Sequence, residues 1–229
     1  MDIALSYLEK GSGQPLILLH GNGGSSKYFK KQIDYFSGDY RVIAIDTRGH
    51  GKSPRGEKPF TIEQFAQDLK DFMTEKKIGK AKLLGFSDGG NIALAFALKY
   101  QQMIDQMVVC GANIFPEGWK SSALLPRAAA YSIHKFFSIN GKRTELLDLV
   151  INQPKIKPSD LKQIEIPVLV IAGTADMVRE EHTKLIYESL PHSKLVFIEG
   201  GHLLPNMRPK QFNSAVTQFF TDEDRLKNF

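Results

Sequence analysis

A serine between glycines forms the strongest chemical motif in this sequence. The pentapeptide G-F-S-D-G at 85–89 follows an apolar run at 81–86, which predicts a buried strand, and precedes a helical pattern at 91–100. A tight strand-to-helix turn projects the hydroxyl of Ser87, and the glycines leave space where the strand and the helix pass closely. Such a pentapeptide occurs by chance in roughly one sequence in ten of this length. A nucleophilic role for Ser87 therefore also requires a suitable base and acid elsewhere in the chain.

A serine nucleophile needs a base and a group that orients the base. Asp176 follows an apolar run at 168–172, and His202 follows a run at 194–198 and two glycines. Both residues therefore fall at the carboxyl ends of predicted strands, where Ser87 also lies. Where a serine stands at a tight strand-to-helix turn of this kind, the catalytic residues follow one another along the chain in the order Ser, Asp, His. We predict Ser87 as the nucleophile, His202 as the base and Asp176 as the acid, with Asp46 as the alternative acid.

Stabilisation of an oxyanion requires two backbone N–H groups near the serine. The segment H-G-N-G-G at 20–24 follows an early apolar run, and its glycines allow the backbone to approach a reacting group closely. We predict that Asn22 supplies one N–H group and Asp88 the other. The alternative, a phosphate-binding loop, lacks the Lys-Ser/Thr of a P-loop and the spacing of a dinucleotide fingerprint. No cofactor or metal is implied, and the single cysteine, Cys110, excludes a multi-cysteine zinc site.

The elements that must position these residues alternate along the chain. Short apolar runs typical of buried parallel strands are separated by helical patterns, which predicts a doubly wound α/β sheet. An alternating run at 3–8 predicts an antiparallel edge strand. Residues 113–164 contain helical patterns but no strand, so we expect a core of residues 1–112 and 165–229 with a helical cap at 113–164. The cap either covers a sheet edge or, as we favour, roofs the site at the carboxyl ends of the strands.

Composition limits the classes of protein that remain. The chain has 229 residues, of which 42% are hydrophobic and 24% charged, which excludes a disordered chain. The net charge of +5 is spread over scattered lysines without a nucleic-acid motif, so we expect no nucleic-acid partner. The start of the sequence lacks a signal peptide pattern, and the apolar runs reach about seven residues, far short of the ~20 that cross a bilayer. We expect a cytoplasmic monomer or homodimer.

Together and in order, these motifs resemble the α/β-hydrolase superfamily. The glycine loop at 20–24, the turn D-T-R-G-H-G-K-S at 46–53, the elbow at Ser87, the acid loop and the terminal Gly-His follow the order of that family. The segments P-S-D-L at 158–161 and I-P-V-L at 166–169 resemble the family's exit from its cap. The resemblance covers nearly the whole chain and implies a serine hydrolase with a mostly parallel sheet and a short helical cap.

A narrower resemblance concerns the valacyclovirase, or biphenyl-hydrolase-like, branch. It rests on F-S-D-G-G at 86–90 and C-G-A-N at 110–113. Enzymes of that branch cleave amino-acid esters, and the acid beside their nucleophile helps to hold the ammonium group of the substrate. The resemblance implies this role for Asp88, whereas the alternative is that Asp88 points away and only caps its helix. We further expect Trp119, Met177 and Leu203 to line the substrate pocket.

These residues predict a carboxylesterase that cleaves a small-molecule ester, with an amino-acid ester as one candidate, through an acyl-enzyme. Other classes of enzyme use the same three catalytic residues, so a carbon–carbon bond hydrolase, a lactonase, a thioesterase and a perhydrolase are alternatives. A small-molecule receptor that keeps the triad is a further alternative of a different class. Dehalogenases and epoxide hydrolases are disfavoured, because their nucleophile in this family is Asp and position 87 is Ser.

Overall fold

One twisted sheet organises the chain in this computed structural model, which describes residues 2–222. Its strands are β1 (Tyr7–Lys10), β2 (Pro15–Leu19), β3 (Arg41–Ile45), β4 (Ala81–Phe86), β5 (Ile104–Cys110), β6 (Val168–Gly173) and β7 (Ser193–Ile198). Within the described residues the sheet has seven strands in the order β1-β3-β2-β4-β5-β6-β7. Strand β1 is antiparallel to β3, and the other neighbours are parallel. The predicted mostly parallel, doubly wound α/β sheet is confirmed.

Helices connect the strands and cover the sheet. They are α1 (Lys30–Phe36), α2 (Ile62–Glu75), α3 (Asp88–Tyr100), α4 (Ser121–Phe136), α5 (Lys142–Asn152), α6 (Pro158–Leu161), α7 (Glu180–Ser189), α8 (Leu204–Met207) and α9 (Pro209–Thr221). The sheet residues alternate between two buried apolar clusters, one packed against α2 and α3 and the other against α1 and α9. Because apolar side chains of the sheet are buried on both faces, the strands have the continuous apolar sequences expected for parallel strands.

The order of the strands creates the position of a ligand site. Strand β2 lies between β3 and β4, so the chain leaves β2 on one side and returns on the other. In open α/β sheets such a reversal opens a crevice at the carboxyl ends of the strands. The loop at 20–24 and the turn at Ser87 leave the sheet from the two strands that border this crevice.

Helix α2 begins after Thr61, whose hydroxyl accepts a hydrogen bond from the backbone N–H of Gln64 at 3.1 Å. The edge strand expected at 3–8 instead begins at Tyr7 and runs to Lys10. Ile3 and Leu5 alternate like strand residues because their side chains pack into the core, although no ladder forms there.

Helices α4, α5 and α6 stand between β5 and β6, where the sequence predicts a cap without strands. An ion pair ties this segment to the core, because Arg55 contacts Glu145 of α5 at 2.5 Å. At its base, the backbone N–H of Ile114 donates to Nε2 of His182 on α7 at 3.0 Å. The domain boundaries at 112/113 and 164/165 stay a prediction, and residues 1 and 223–229 of the predicted core lie outside the described residues. Across residues 2–222, no helix is both long and apolar enough to cross a membrane.

Candidate active site

The turn at Ser87 has the geometry of a strained nucleophile elbow. Ser87 adopts φ 54° and ψ −122° between β4 and α3, a conformation that L-residues rarely occupy. A Cβ atom on Gly85 would overlap the backbone of Gly89, and one on Gly89 would overlap the carbonyl of Leu19. The two glycines are therefore required by the close passage of strand and helix, as the sequence predicts.

The structure brings Ser87, His202 and Asp176 into one hydrogen-bonded chain. Nε2 of His202 lies 3.0 Å from Oγ of Ser87, and Nδ1 of His202 lies 2.7 Å from Oδ1 of Asp176. All three side chains are buried. Burial acts to raise the pKa of Asp176, but the hydrogen bond and charge of His202 outweigh it and hold that pKa below its usual value. An ionised acid in this position can fix the orientation of an imidazole that accepts the proton of a serine.

The alternative acid, Asp46, performs a different task. Its carboxylate accepts the backbone N–H of Ser26 at 2.6 Å and that of Lys52 at 2.9 Å. The Lys52 contact closes the turn after β3, and the Ser26 contact ties this turn to the segment after β2. Both oxygens of Asp46 are therefore occupied, and Nδ1 of His202 pairs with Asp176 instead. Asp46 is therefore a structural residue of the sheet edge.

The glycine loop at 20–24 lies against the nucleophile. A Cβ atom on Gly21 would stand 2.9 Å from Cβ of Ser87, so only glycine allows this approach. In the described part of the chain, the backbone N–H groups of Asn22 and Asp88 make no intramolecular hydrogen bond, which leaves both free for an oxyanion. Burial lowers the pKa of His20 to about 4, and its neutral ring accepts the backbone N–H of Thr47 at 3.2 Å.

The carboxylate of Asp88 points into a polar cluster beneath the loop. It accepts hydrogen bonds from the amide of Asn22 at 2.9 Å and from the amide of Asn91 at 3.3 Å. Burial raises the pKa of Asp88 to about 6, although the Asn22 hydrogen bond and the charge of His202 oppose this. Asp88 does not line the cavity at Ser87. An ammonium-binding role for Asp88 stays a prediction, without a contact that supports it.

A cavity of about 300 Å³ opens above the nucleophile. Its walls combine the core and the cap: Gly21, Asn22, Gly23, Gly24, Tyr28, Phe86, Ser87, Trp119, Arg127, Val150, Met177, His202 and Leu203. The structure thus brings Trp119, Met177 and Leu203 to this cavity, as predicted from the sequence. The cap contributes Trp119, Arg127 and Val150, so it roofs the site instead of covering a distant sheet edge. A larger cleft of about 820 Å³ lies between the cap and the turn after β3, but it contains none of the three hydrogen-bonded residues.

Several residues of the site were not identified from the sequence: Gly111 beside His202 and, in the cavity wall, Tyr28, Arg127 and Val150. Gly111 has φ 61°, and a Cβ atom there would stand 2.9 Å from Cε1 of His202. The glycine after the run that forms β5 was a usable signal, because the other strand ends also carry functional residues. Arg127 gave no such signal, since its position in the cavity depends on how α4 docks. Among the described residues, no group of acidic, His and Cys side chains is arranged to hold a metal ion.

This sheet, elbow and roofed cavity define an α/β hydrolase, and the comparisons with known proteins agree. The sequence model of the alpha/beta hydrolase fold matches residues 14–140. The human serine hydrolase BPHL is 30% identical, over 95% of this chain and 83% of that protein. The chain belongs to the α/β-hydrolase family.

Two further similar proteins are enol-lactonases. The 3-oxoadipate enol-lactonase 2 of Acinetobacter baylyi is 29% identical over 94% of this chain and 92% of that protein. The crystal structure of the enol-lactonase from Burkholderia xenovorans LB400 superimposes with a TM-score of 0.81 at 24% identity, over 96% of this chain and 97% of that one. These similarities support hydrolase activity, and the resemblance to the branch that contains BPHL is confirmed.

Proposed function

We propose that this chain hydrolyses a small carboxylic ester through a covalent acyl-enzyme on Ser87. The observation that carries the proposal is the buried chain from Ser87 through His202 to Asp176, with contacts of 3.0 and 2.7 Å. Its position at the carboxyl edge of the sheet, beside two unpaired backbone N–H groups, fits acyl transfer.

In the first half-reaction, Oγ of Ser87 attacks the ester carbonyl while Nε2 of His202 takes the hydroxyl proton. The N–H groups of Asn22 and Asp88 donate to the oxyanion that forms, and each such donor lowers the barrier by about 3 kcal/mol. Asp176 stabilises the imidazolium of His202. The tetrahedral intermediate then expels the alcohol, which receives the proton from His202 as its bond to the acyl carbon breaks.

The second half-reaction returns the enzyme to its resting state. His202 removes a proton from a water molecule as its oxygen attacks the acyl carbon, and the same oxyanion donors act again. Collapse of the second intermediate releases the acid and returns the proton to Oγ of Ser87. The apolar walls of the cavity, which include Trp119 and Met177, limit the access of further water.

A lactone is the closest variant of this substrate class, because it is a cyclic ester and opens by the same two steps. The similarity to the 3-oxoadipate enol-lactonase 2 of Acinetobacter baylyi favours this variant. Thioesters, peracids, carbon–carbon bonds and a receptor role use the same three residues, and no contact in the cavity favours any of them.

Replacement of the nucleophile tests the proposal. We expect Ser87→Ala to lower kcat for a p-nitrophenyl ester by about 10⁴-fold or more, because the hydroxyl forms the covalent intermediate. The wild-type enzyme should also release a burst of p-nitrophenolate where deacylation is slow, which Ser87→Ala should lack. Stopped-flow absorbance measures both quantities.

The control is Ser214→Ala, which removes the same hydroxyl from an exposed position on α9. It should retain the wild-type rate. Full activity in Ser87→Ala, or equal losses in the two variants, would contradict a nucleophilic role for Ser87.

A further inference from the structure

The roof of the active-site cavity presents a guanidinium group that the proposed chemistry does not use. Arg127 lies on α4 and lines the same cavity as Ser87 and His202. The reacting groups belong to the core, whereas Arg127 belongs to the cap. A ligand bound at Ser87 would therefore meet Arg127 with the part of its structure that is remote from the ester carbonyl.

The contacts of Arg127 hold the group in place without neutralising it. Nη1 donates to the carbonyl of Ala123 at 2.6 Å, and the guanidinium carbon lies 5.6 Å from the centre of the Trp119 ring. In residues 2–222 no carboxylate lies within ion-pair distance of Arg127. By contrast, Arg48 pairs with Asp68, and Arg55 pairs with Glu145.

The rest of the cavity wall carries no negative charge that would compensate Arg127. Among the described residues that line the cavity, Arg127 is the only one of the types Asp, Glu, Lys and Arg. A guanidinium has five N–H donors, and the carbonyl of Ala123 occupies one nitrogen. The remaining donors have no acidic partner among the described residues, and two N–H groups of a guanidinium match the two oxygens of a carboxylate.

We propose that Arg127 forms a carboxylate subsite in this cavity, and that the substrate is an ester or lactone whose remote end carries a carboxylate. The inference rests on the proposed function for the position of the ester, and it adds the charge of the substrate. It also opposes a cationic substrate, because the carboxylate of Asp88 is directed at Asn22 and Asn91 while the exposed charge of the cavity is positive.

A matched pair of substrates isolates the effect of a negative charge at the remote end of the ester. p-Nitrophenyl hydrogen adipate ends in a carboxylate, and methyl p-nitrophenyl adipate has the same chain with a neutral end. We expect the wild-type enzyme to prefer the anionic ester. Arg127→Gln should lower kcat/KM for that ester roughly 10- to 100-fold, mainly through KM, and should affect the neutral ester far less. Arg127→Lys keeps the charge but not the paired donors, so its loss should be smaller.

The control is Arg143→Gln, which removes an equal charge from an exposed position on α5 outside the cavity. It should leave the preference for the anionic ester unchanged. Equal losses on the two esters in Arg127→Gln, or an equal change of preference in Arg143→Gln, would overturn the subsite. Thermal unfolding followed by circular dichroism checks that each variant is folded, and Arg127→Lys carries the test if Arg127→Gln is not.

A binding measurement separates failure of the subsite from failure of the proposed function. Trp119 is the only tryptophan of the chain, so its fluorescence reports on this cavity. In Ser87→Ala, adipate should change the fluorescence with a lower Kd than neutral adipamide, and Arg127→Gln added to that variant should remove the difference. This result would support the subsite even if no ester is hydrolysed. Equal Kd values for adipate with and without Arg127→Gln would overturn the subsite, whatever the esterase assay shows.

Discussion

Asp88 illustrates how one residue of the site acts through its neighbours. Its backbone N–H is one of the two proposed oxyanion donors, while its carboxylate accepts hydrogen bonds from the amides of Asn22 and Asn91. The amide of Asn22 also donates to the carbonyl of Leu146 at 3.0 Å. Asp88 therefore helps to hold Asn22, the other proposed oxyanion donor, between the core and the cap. Sequence left its orientation open, because an acid in the first turn of a helix serves equally as a helix cap or as a ligand group.

Asp88→Asn distinguishes these roles. A carboxamide offers one acceptor oxygen where Asn22 and Asn91 each need an acceptor, so its NH₂ group would face another donor. We expect kcat to fall roughly 10-fold for neutral and amino-acid esters alike, since displacement of the Asn22 loop affects every substrate. Asp39→Asn, an exposed change of the same charge, should leave both rates intact. A loss confined to amino-acid esters would instead support the ammonium-binding interpretation.

At the scale of elements, the close passage of β4, α3 and the end of β2 builds the elbow. The close passage of β4 and α3 was predictable, because Gly85 and Gly89 stand two residues before and after Ser87. The contact of Gly89 with the end of β2 was not. The docking of α4 was not, because its helical pattern does not say which side chains enter the cavity. Leu125 of α4 is 64% exposed, whereas the charged Arg127 points towards the site. A local pattern gives the helix, but contacts with distant elements decide its orientation.

Gly89→Ala tests the steric requirement at the elbow. The added methyl would overlap the carbonyl of Leu19 at the end of β2, so α3 or β2 must shift. We expect the free energy of unfolding to fall by about 1–3 kcal/mol, together with a loss of esterase activity. Gly79→Ala is the matched control, because a Cβ atom there meets nothing within 4 Å. Equal stability of the two variants in urea unfolding would show that the elbow tolerates a side chain.

At the scale of the whole molecule, the order of apolar runs and helical patterns predicted the sheet, because each strand and helix rests on a pattern a few residues long. Contacts between distant segments were not predictable in this way. His182 on α7 is an example, since it accepts the backbone N–H of Ile114 at 3.0 Å and fixes the base of the cap. In sequence, His182 is one histidine on a helix face. Its role depends on packing that brings together residues 68 positions apart.

His182 also links the stability of the fold to pH. Burial and the charge of Arg179 lower the pKa of His182 to about 4, and burial lowers that of His20 to about 4 as well. Both groups have pKa values near 6.5 in an unfolded chain, so between these values the unfolded state binds more protons than the folded state. The stability that these two neutral histidines contribute is therefore fully present above about pH 6.5, and it is lost as the pH falls towards 4. The raised pKa of Asp88 acts in the opposite direction, which makes a comparison of variants necessary.

His182→Gln isolates this contribution, because the glutamine oxygen can still accept from Ile114 but does not titrate. We expect the wild-type protein to lose about 2 kcal/mol more free energy of unfolding than His182→Gln between pH 7 and pH 4.5. Urea unfolding at each pH measures this difference, and His192→Gln is the control at a histidine that pairs with the exposed Glu165. Parallel pH profiles for wild type and His182→Gln would mean that the histidine at the base of the cap is not held neutral. In that case the acid sensitivity of the fold would have to come from His20 and the turn after β2.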